Sequence, residues 1–421
     1  MACISGFTLL SYPDQMTSEF NLHKIYDHNL NFLVGAGASS GFLPTLALKI
    51  KELDGQKCTF ETLAKKYENN QEMTTLLFML YYRECIKPGL PTAASGGFKL
   101  RPRYLMRKKV INEYKRFITT LIQVLNKQKA SAKRANIFTT NYDSCFEIAS
   151  EELMAERIAQ FEVNDGSTGF QSRTFHTRNF NNRVVNKGVF DRHDQYIPQL
   201  NLLHAHGSVH WTKGNKNGDI KLNYGNSCYK IDFSLAEKQL LDAFKMILYD
   251  ENKTISDLIA FVEDSDISVL RSEHFWLAYN KMPIVNPTKW KFHETVFEEA
   301  YYQILRHLSY ELERPNSVLI VFGFSFADEH ILSLVQRALS NPSLTMYVVC
   351  YNESTKEWIK DLFKEYANVK YLYSESNALD FKLFNDEYFT IYKPKKQDQR
   401  LDAAKVIVNQ ALEAIAAGEQ L

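Results

Sequence analysis

Asn31-Phe-Leu-Val-Gly-Ala-Gly-Ala-Ser-Ser40 decides how this chain is read. Phe32, Leu33 and Val34 form a short apolar run of the kind that fills a buried parallel strand. Gly35 and Gly37 follow at once, then Ser39 and Ser40. Small residues let backbone N–H groups approach a phosphate, and Ser39 or Ser40 can cap a following helix. Strand, Gly-x-Gly turn and helix start together make a dinucleotide-binding corner. Glycine at such a turn also has a purely steric use, so the corner is weighed with the rest of the chain.

Working outward, residues 136–140, 200–206, 283–285, 317–322, 344–351 and 369–373 read as further apolar strands. Helical patterns stand between them, at 144–154, 293–313, 328–339 and 355–366. This alternation predicts an α/β fold, a doubly wound, Rossmann-like parallel sheet. Residues 1–30 read as a leader with a helix at 18–28, and 31–390 as one nucleotide-binding domain. Residues 391–421 read as a C-terminal helix. Two helical insertions are expected, at about 45–130 and 213–280. The first is read without a strand, with a helix over 45–53.

Composition narrows the function classes. The chain has 421 residues, 45% hydrophobic and 24% charged, which suits an ordinary globular protein. A net charge of +1 gives no case for direct nucleic-acid binding. The six cysteines, at 3, 58, 85, 145, 228 and 350, include no Cys-x-x-Cys pair, and scattered thiols suit a reducing cytosol. The first residues lack a basic n-region with an apolar core, and no apolar run is long enough for a bilayer. A cytoplasmic chain away from the membrane is the expectation.

In a parallel sheet the carboxyl ends of the strands share one rim, where ligands bind. That rim should collect Gly35, Ala36, Gly37 and Ser39, Asn141 and Asp143, His206 and Gly207, and Gly323 and Ser325. Asn352, after the strand at 344–351, either joins the set or starts a turn. Asn141 can orient a ribose or a water, or cap the next helix. Asp143 reads as a loop-holding acceptor. Asp328 and Glu329 read as stabilisers of a helix start. His204 and His210 flank His206 with no acid at metal-ligand spacing, so no zinc is expected.

GAGAS at 35–39, TTNYD at 139–143, HGS at 206–208 and GFSFADEHI at 323–331 stand in the order found in sirtuin-like NAD-binding domains. The chain resembles that family over roughly 30–390, and in particular its bacterial anti-phage defence branch. The resemblance implies an NAD glycohydrolase, with NAD as substrate. It implies His206 as general base, Asn141 beside it, Ser39 at the diphosphate, and Gly323 and Ser325 at the adenosine ribose. Ala36 would leave room near the nicotinamide. The partners implied are further copies of the chain and a HerA-type hexameric ATPase.

Two departures bear on the reaction. Gly41-Phe-Leu-Pro44 replaces the acid- and arginine-bearing run of protein-deacylating sirtuins, and their four-cysteine zinc ribbon is absent. Both count against deacylation. A binding module that senses NAD or an ADP-ribose derivative is the alternative, and such a sensor does not need both Asn141 and His206. A nuclease would need a clustered acidic metal site, which the sequence does not assemble. Unrestrained NAD cleavage would kill the host, so gating is expected from an insertion, the C-terminal helix or a partner.

Overall fold

Alternation along the strands sets the architecture. Phe32 faces one side of the sheet and Leu33 the other, and both are buried. The computed structural model describes residues 20–90, 102–129, 132–187, 194–214, 219–225, 229–286 and 295–391. Seven strands form the central sheet: β1 Asn29–Val34, β2 Arg134–Thr139, β3 Glu162–Asn164, β4 Gln199–His204, β5 Ser317–Phe322, β6 Thr345–Val349 and β7 Val369–Leu372. Every pairing is parallel, in the spatial order β7-β6-β5-β1-β2-β4-β3. Helices Pro102–Lys127 and Cys145–Glu156 pack on the face of Phe32 through Tyr114, Phe117 and Phe146. Helices Thr295–Glu313, Glu329–Ala338 and Glu353–Leu362 cover the face of Leu33 through Ile304, Val335 and Ile359. The fold is a Rossmann-like doubly wound α/β sheet. A small antiparallel sheet, built from 167–168, 173–175, 211–213 and 220–222, adds Trp211 and Phe175 to the second face.

An asparagine ladder crosses the sheet interior. Asn136 donates to Asn31 Oδ1 and Asn201 donates to Asn136 Oδ1, each at 2.8 Å. The three residues are in register on neighbouring strands and buried. Each amide satisfies the next, which removes the cost of burying polar groups.

The region after the glycine turn departs from the expected helix. Residues Ala36–Ser39 form one 3₁₀ turn, and the chain then enters a hairpin, Ala47–Lys51 with Lys57–Thr59. Ser39 and Ser40 therefore cap no α-helix. The reason is legible in burial: Leu48 and Ile50 point inward while Ala47 and Lys49 face solvent, a two-residue period. Helix Pro102–Lys127 also belongs to the sheet layer and not to an insertion. The N-terminal helix spans only Leu22–Ile25. The C-terminal helix read within 391–421 lies, beyond Ile391, outside the described residues.

The remaining inserted segments build one body. Residues 46–90 and 229–284 share a hydrophobic cluster that includes Ile50, Leu63, Leu77, Tyr82, Phe244, Leu258 and Phe275. Tyr82 bonds the backbone at both Tyr229 and Ile231, and Lys87 Nζ donates to the Ile231 carbonyl at 2.8 Å. Trp276 Nε1 donates to Thr75 Oγ1 at 3.0 Å, and Lys245 pairs with Glu84 at 2.9 Å. This cap also packs on Tyr142 and Val209, and its Ile284 bridges Gly207, which places it against the carboxyl rim of the sheet.

Candidate active site

The rim is tightest where the loops after β1 and β5 meet, beside the switch in strand order. Gly37 N–H donates to the Gly323 carbonyl and Gly35 N–H to the Phe322 carbonyl, each at 2.9 Å. A Cβ on Gly35 would lie 2.6 Å from Gly323 O, and one on Gly37 would lie 2.6 Å from Gly323 Cα. Gly323 itself has φ +63°. The glycines thus allow two loops to interlock, and the N–H groups of Gly35 and Gly37 serve that contact. Phe326 follows at φ 58°, a strained conformation for a bulky side chain that its burial between Phe324 and Phe363 maintains.

Ser39 lies under this corner, buried. Its hydroxyl donates to Asp143 Oδ2 at 2.9 Å and shares a 2.8 Å hydrogen bond with Tyr114. That commitment corrects the diphosphate contact expected of Ser39: the side chain braces the loop from inside. Asp143 acts as read, accepting from Ser39 and from Cys145 N–H at 3.0 Å. Asn141 Nδ2 donates to the Gly35 carbonyl at 3.2 Å and reaches Ser39 Oγ at 3.4 Å. Asn141 and the first glycine turn are therefore brought together. Ala36 and Ser325 are exposed at the rim, and Gly37 and Gly323 are half-buried. Asn352 caps helix Glu353–Leu362, accepting from Thr355 N–H at 2.9 Å. The turn alternative thus describes Asn352.

His206 follows β4 and meets an acid that the sequence reading assigned to helix structure alone. His206 Nε2 lies 3.1 Å from Asp328 Oδ2, with the two side chains 16% and 15% exposed. The other oxygen of Asp328 accepts the N–H groups of His330 and Ile331 at the start of helix Glu329–Ala338. Burial raises the Asp328 pKa, but the imidazole and those two N–H groups outweigh it and hold the carboxyl down at about 2. An ionised Asp328 accepts Nε2–H and leaves the Nδ1 lone pair of His206 free to take a proton. His206 was expected on the rim and Asp328 only at a helix start, 122 residues further along the chain, so spacing gave no sign of the pair.

A second pair underlies Asn141. His204, fully enclosed, points Nδ1 at the Asn141 carbonyl at 3.0 Å and Nε2 at Glu147 Oε1 at 2.9 Å. Both partners accept, so a charged ring satisfies them by donating at both nitrogens. Burial lowers the His204 pKa, yet Glu147 and the Asn141 carbonyl leave it raised. Burial likewise raises Glu147, and His204 and His210 bring it below its ordinary value. His210, 3.9 Å from the same carboxylate, is pushed down by burial. The acid near His204 and His210 thus exists in space, 57 residues from His204 along the chain, where spacing could not reveal it. Among the described residues no group of three or more His, Cys, Asp or Glu side chains is arranged to hold a metal.

The cap contributes Glu61, from helix Phe60–Lys66. Its pKa is raised by burial first, with His206 lowering it and Asp328 raising it. The cap is latched to the rim by the hydrogen bond between the Tyr81 and Tyr142 hydroxyls and by Ser144 Oγ to the Gly89 carbonyl at 3.1 Å. Val285 N–H bonds the His206 carbonyl at 2.9 Å, next to the bridge between Gly207 and Ile284. A cavity of about 370 Å³ lies at the opposite, amino edge, between Thr119, Gln123, Ile158 and Tyr196.

No protein-family model matches the chain, and no curated protein matches it.

Proposed function

We propose that the chain is a sirtuin-like NAD glycohydrolase, converting NAD and water to nicotinamide, ADP-ribose and a proton. The observation that carries this reading is the pair of His206 and Asp328 at the rim, 3.1 Å apart. In the proposed step the bond between nicotinamide and ribose C1′ breaks as a water oxygen bonds to C1′. Nicotinamide leaves neutral with the bonding electrons, so no acid is required. His206 Nδ1 takes the proton lost by water, and Asp328 stabilises the imidazolium through Nε2–H. A base so placed contributes about 10²–10⁴-fold. Asn141, held by Gly35 and by the His204–Glu147 pair behind it, orients the ribose or the water.

The cap supports gating as part of the same proposal. Its contacts fall on Tyr142, Ser144 and Gly207, the residues that border Asn141 and His206. Displacement of the cap by oligomerisation or by a HerA-type ATPase would open the rim, with depletion of NAD on infection as the outcome. The alternative is a sensor that binds NAD or an ADP-ribose derivative at the same rim without cleaving it.

Incubating the purified full chain with NAD, alone and together with a HerA-type ATPase, and separating nicotinamide and ADP-ribose by chromatography decides between the hydrolase and the sensor. Both products should form, and both should fall together in His206→Ala and Asn141→Ala. NAD binding without product in either condition would establish the sensor reading, and product undiminished in both variants would place the activity elsewhere.

A further inference from the structure

Opposite the rim, at the amino edge of the sheet, lies a cavity of about 140 Å³. Its charged lining is Arg134 at the start of β2, Arg183, Arg314 and Glu311, with Asn29 and Asn136 beside them. Glu311 is buried and spends both oxygens: Oε1 accepts from Arg134 at 2.7 Å and Oε2 from Arg314 at 2.8 Å. His307, 3.9 Å from Glu311, is pushed below its ordinary pKa by burial and by the charges of Arg134 and Arg314, which outweigh Glu311. Arg183 is half-buried and has no hydrogen-bond or ion-pair partner among the described residues.

Among the described residues three guanidinium groups thus face one carboxylate, a surplus of two positive charges around a small space. Arginine does not relieve such crowding by losing its proton, and like charges in a partly desolvated site repel more strongly than in water. Burial, then Arg134 and Arg314, act against the charge of Arg183, and Tyr196 and Glu311 offset them only in part. An anion that enters removes this repulsion and supplies acceptors for the unused guanidinium donors. The fork geometry of arginine matches carboxylate and phosphate oxygens, and a charge of minus two matches the surplus. Among the described residues no aromatic ring lines the cavity, so these residues offer no platform for a nucleobase.

We propose that this cavity is a binding site for a dianionic phosphate group, held by Arg183, Arg314 and Arg134 and separate from the His206 rim. The shared chemistry admits free inorganic phosphate or the terminal phosphate of a monoester.

The test uses the full chain in calorimetric titration and thermal melts with inorganic phosphate and, separately, methyl phosphate. Sodium chloride at matched ionic strength is the control. Saturable binding and stabilisation by phosphate and not by chloride are expected, with Kd weakened at least tenfold in Arg183→Gln and partly restored in Arg183→Lys. Binding of inorganic phosphate alone would mark a site for the free ion; binding of both would mark one open to a terminal phosphate. Absence of saturable binding in the wild-type chain, or equal binding by Arg183→Gln, would overturn the proposal. Neither readout involves NAD cleavage, so the result is independent of the rim.

Discussion

His206 draws its proposed role from Asp328, and the two can be separated experimentally. His206→Ala should lower NAD cleavage by about 10²–10⁴-fold. Asp328→Asn keeps the size of the side chain but can donate to Nε2, which favours the wrong tautomer. Its kcat should fall between wild type and His206→Ala, with KM little changed. His204 offers a second residue-scale test, through pH. Its folded-state pKa is raised above the ordinary 6.5, so its pairing stabilises the fold below that value and is lost as pH rises through the folded value. As pH rises above about 6.5 the melting temperature should therefore fall more steeply in wild type than in Glu147→Gln. Equal slopes would mean that the ring is neutral throughout.

At the scale of elements, the two interlocked loops and the asparagine ladder carry opposite kinds of constraint. Gly323 adopts a positive φ, and a Cβ there would lie 2.7 Å from Ala38 N. Gly323→Ala should cost about 2–4 kcal/mol, combining the left-handed penalty with overpacking, as read from chemical denaturation. The ladder is sensitive to polarity instead of space. Asn136→Leu strands the Asn31 carbonyl and one of the two N–H groups of the Asn201 amide, whose other bond goes to the Phe180 carbonyl, at roughly 1–3 kcal/mol for each buried group left unpaired. A double variant that also replaces Asn201 should recover part of that loss. The glycines illustrate how an element-level signal can be right in place and different in cause. Their positions mark the switch point, but their N–H groups bind a neighbouring loop.

For the whole molecule, the relation of cap to rim is the feature with functional weight. Two segments separated by more than a hundred residues fold into one body, and its latches fall beside Asn141 and His206. Tyr81→Phe removes one hydroxyl from the Tyr81–Tyr142 bond at a cost of about 1 kcal/mol. Amide exchange should quicken over residues 71–86 while the β1 and β5 amides keep their protection. If exchange quickens evenly across the sheet, cap and sheet open as a single unit.

The order of strands and helices was legible because buried parallel strands are short apolar runs and surface helices repeat every three to four residues. Those are local properties, and residues 136–140, 200–206 and 317–322 carried them plainly. Local pattern failed at 47–51, where only inward-pointing Leu48 and Ile50 distinguish a strand from a helix. It also failed for every partnership made across the chain: His206 with Asp328, His204 with Glu147, Ser39 with Tyr114, and Arg183 with its two neighbouring arginines. Such partnerships depend on where distant segments are carried by the sheet order, and that order is decided by burial of whole faces. Residue types and their periods therefore determined the fold class and the rim, while tertiary packing alone decided which side chains were spent on structure and which were left for chemistry.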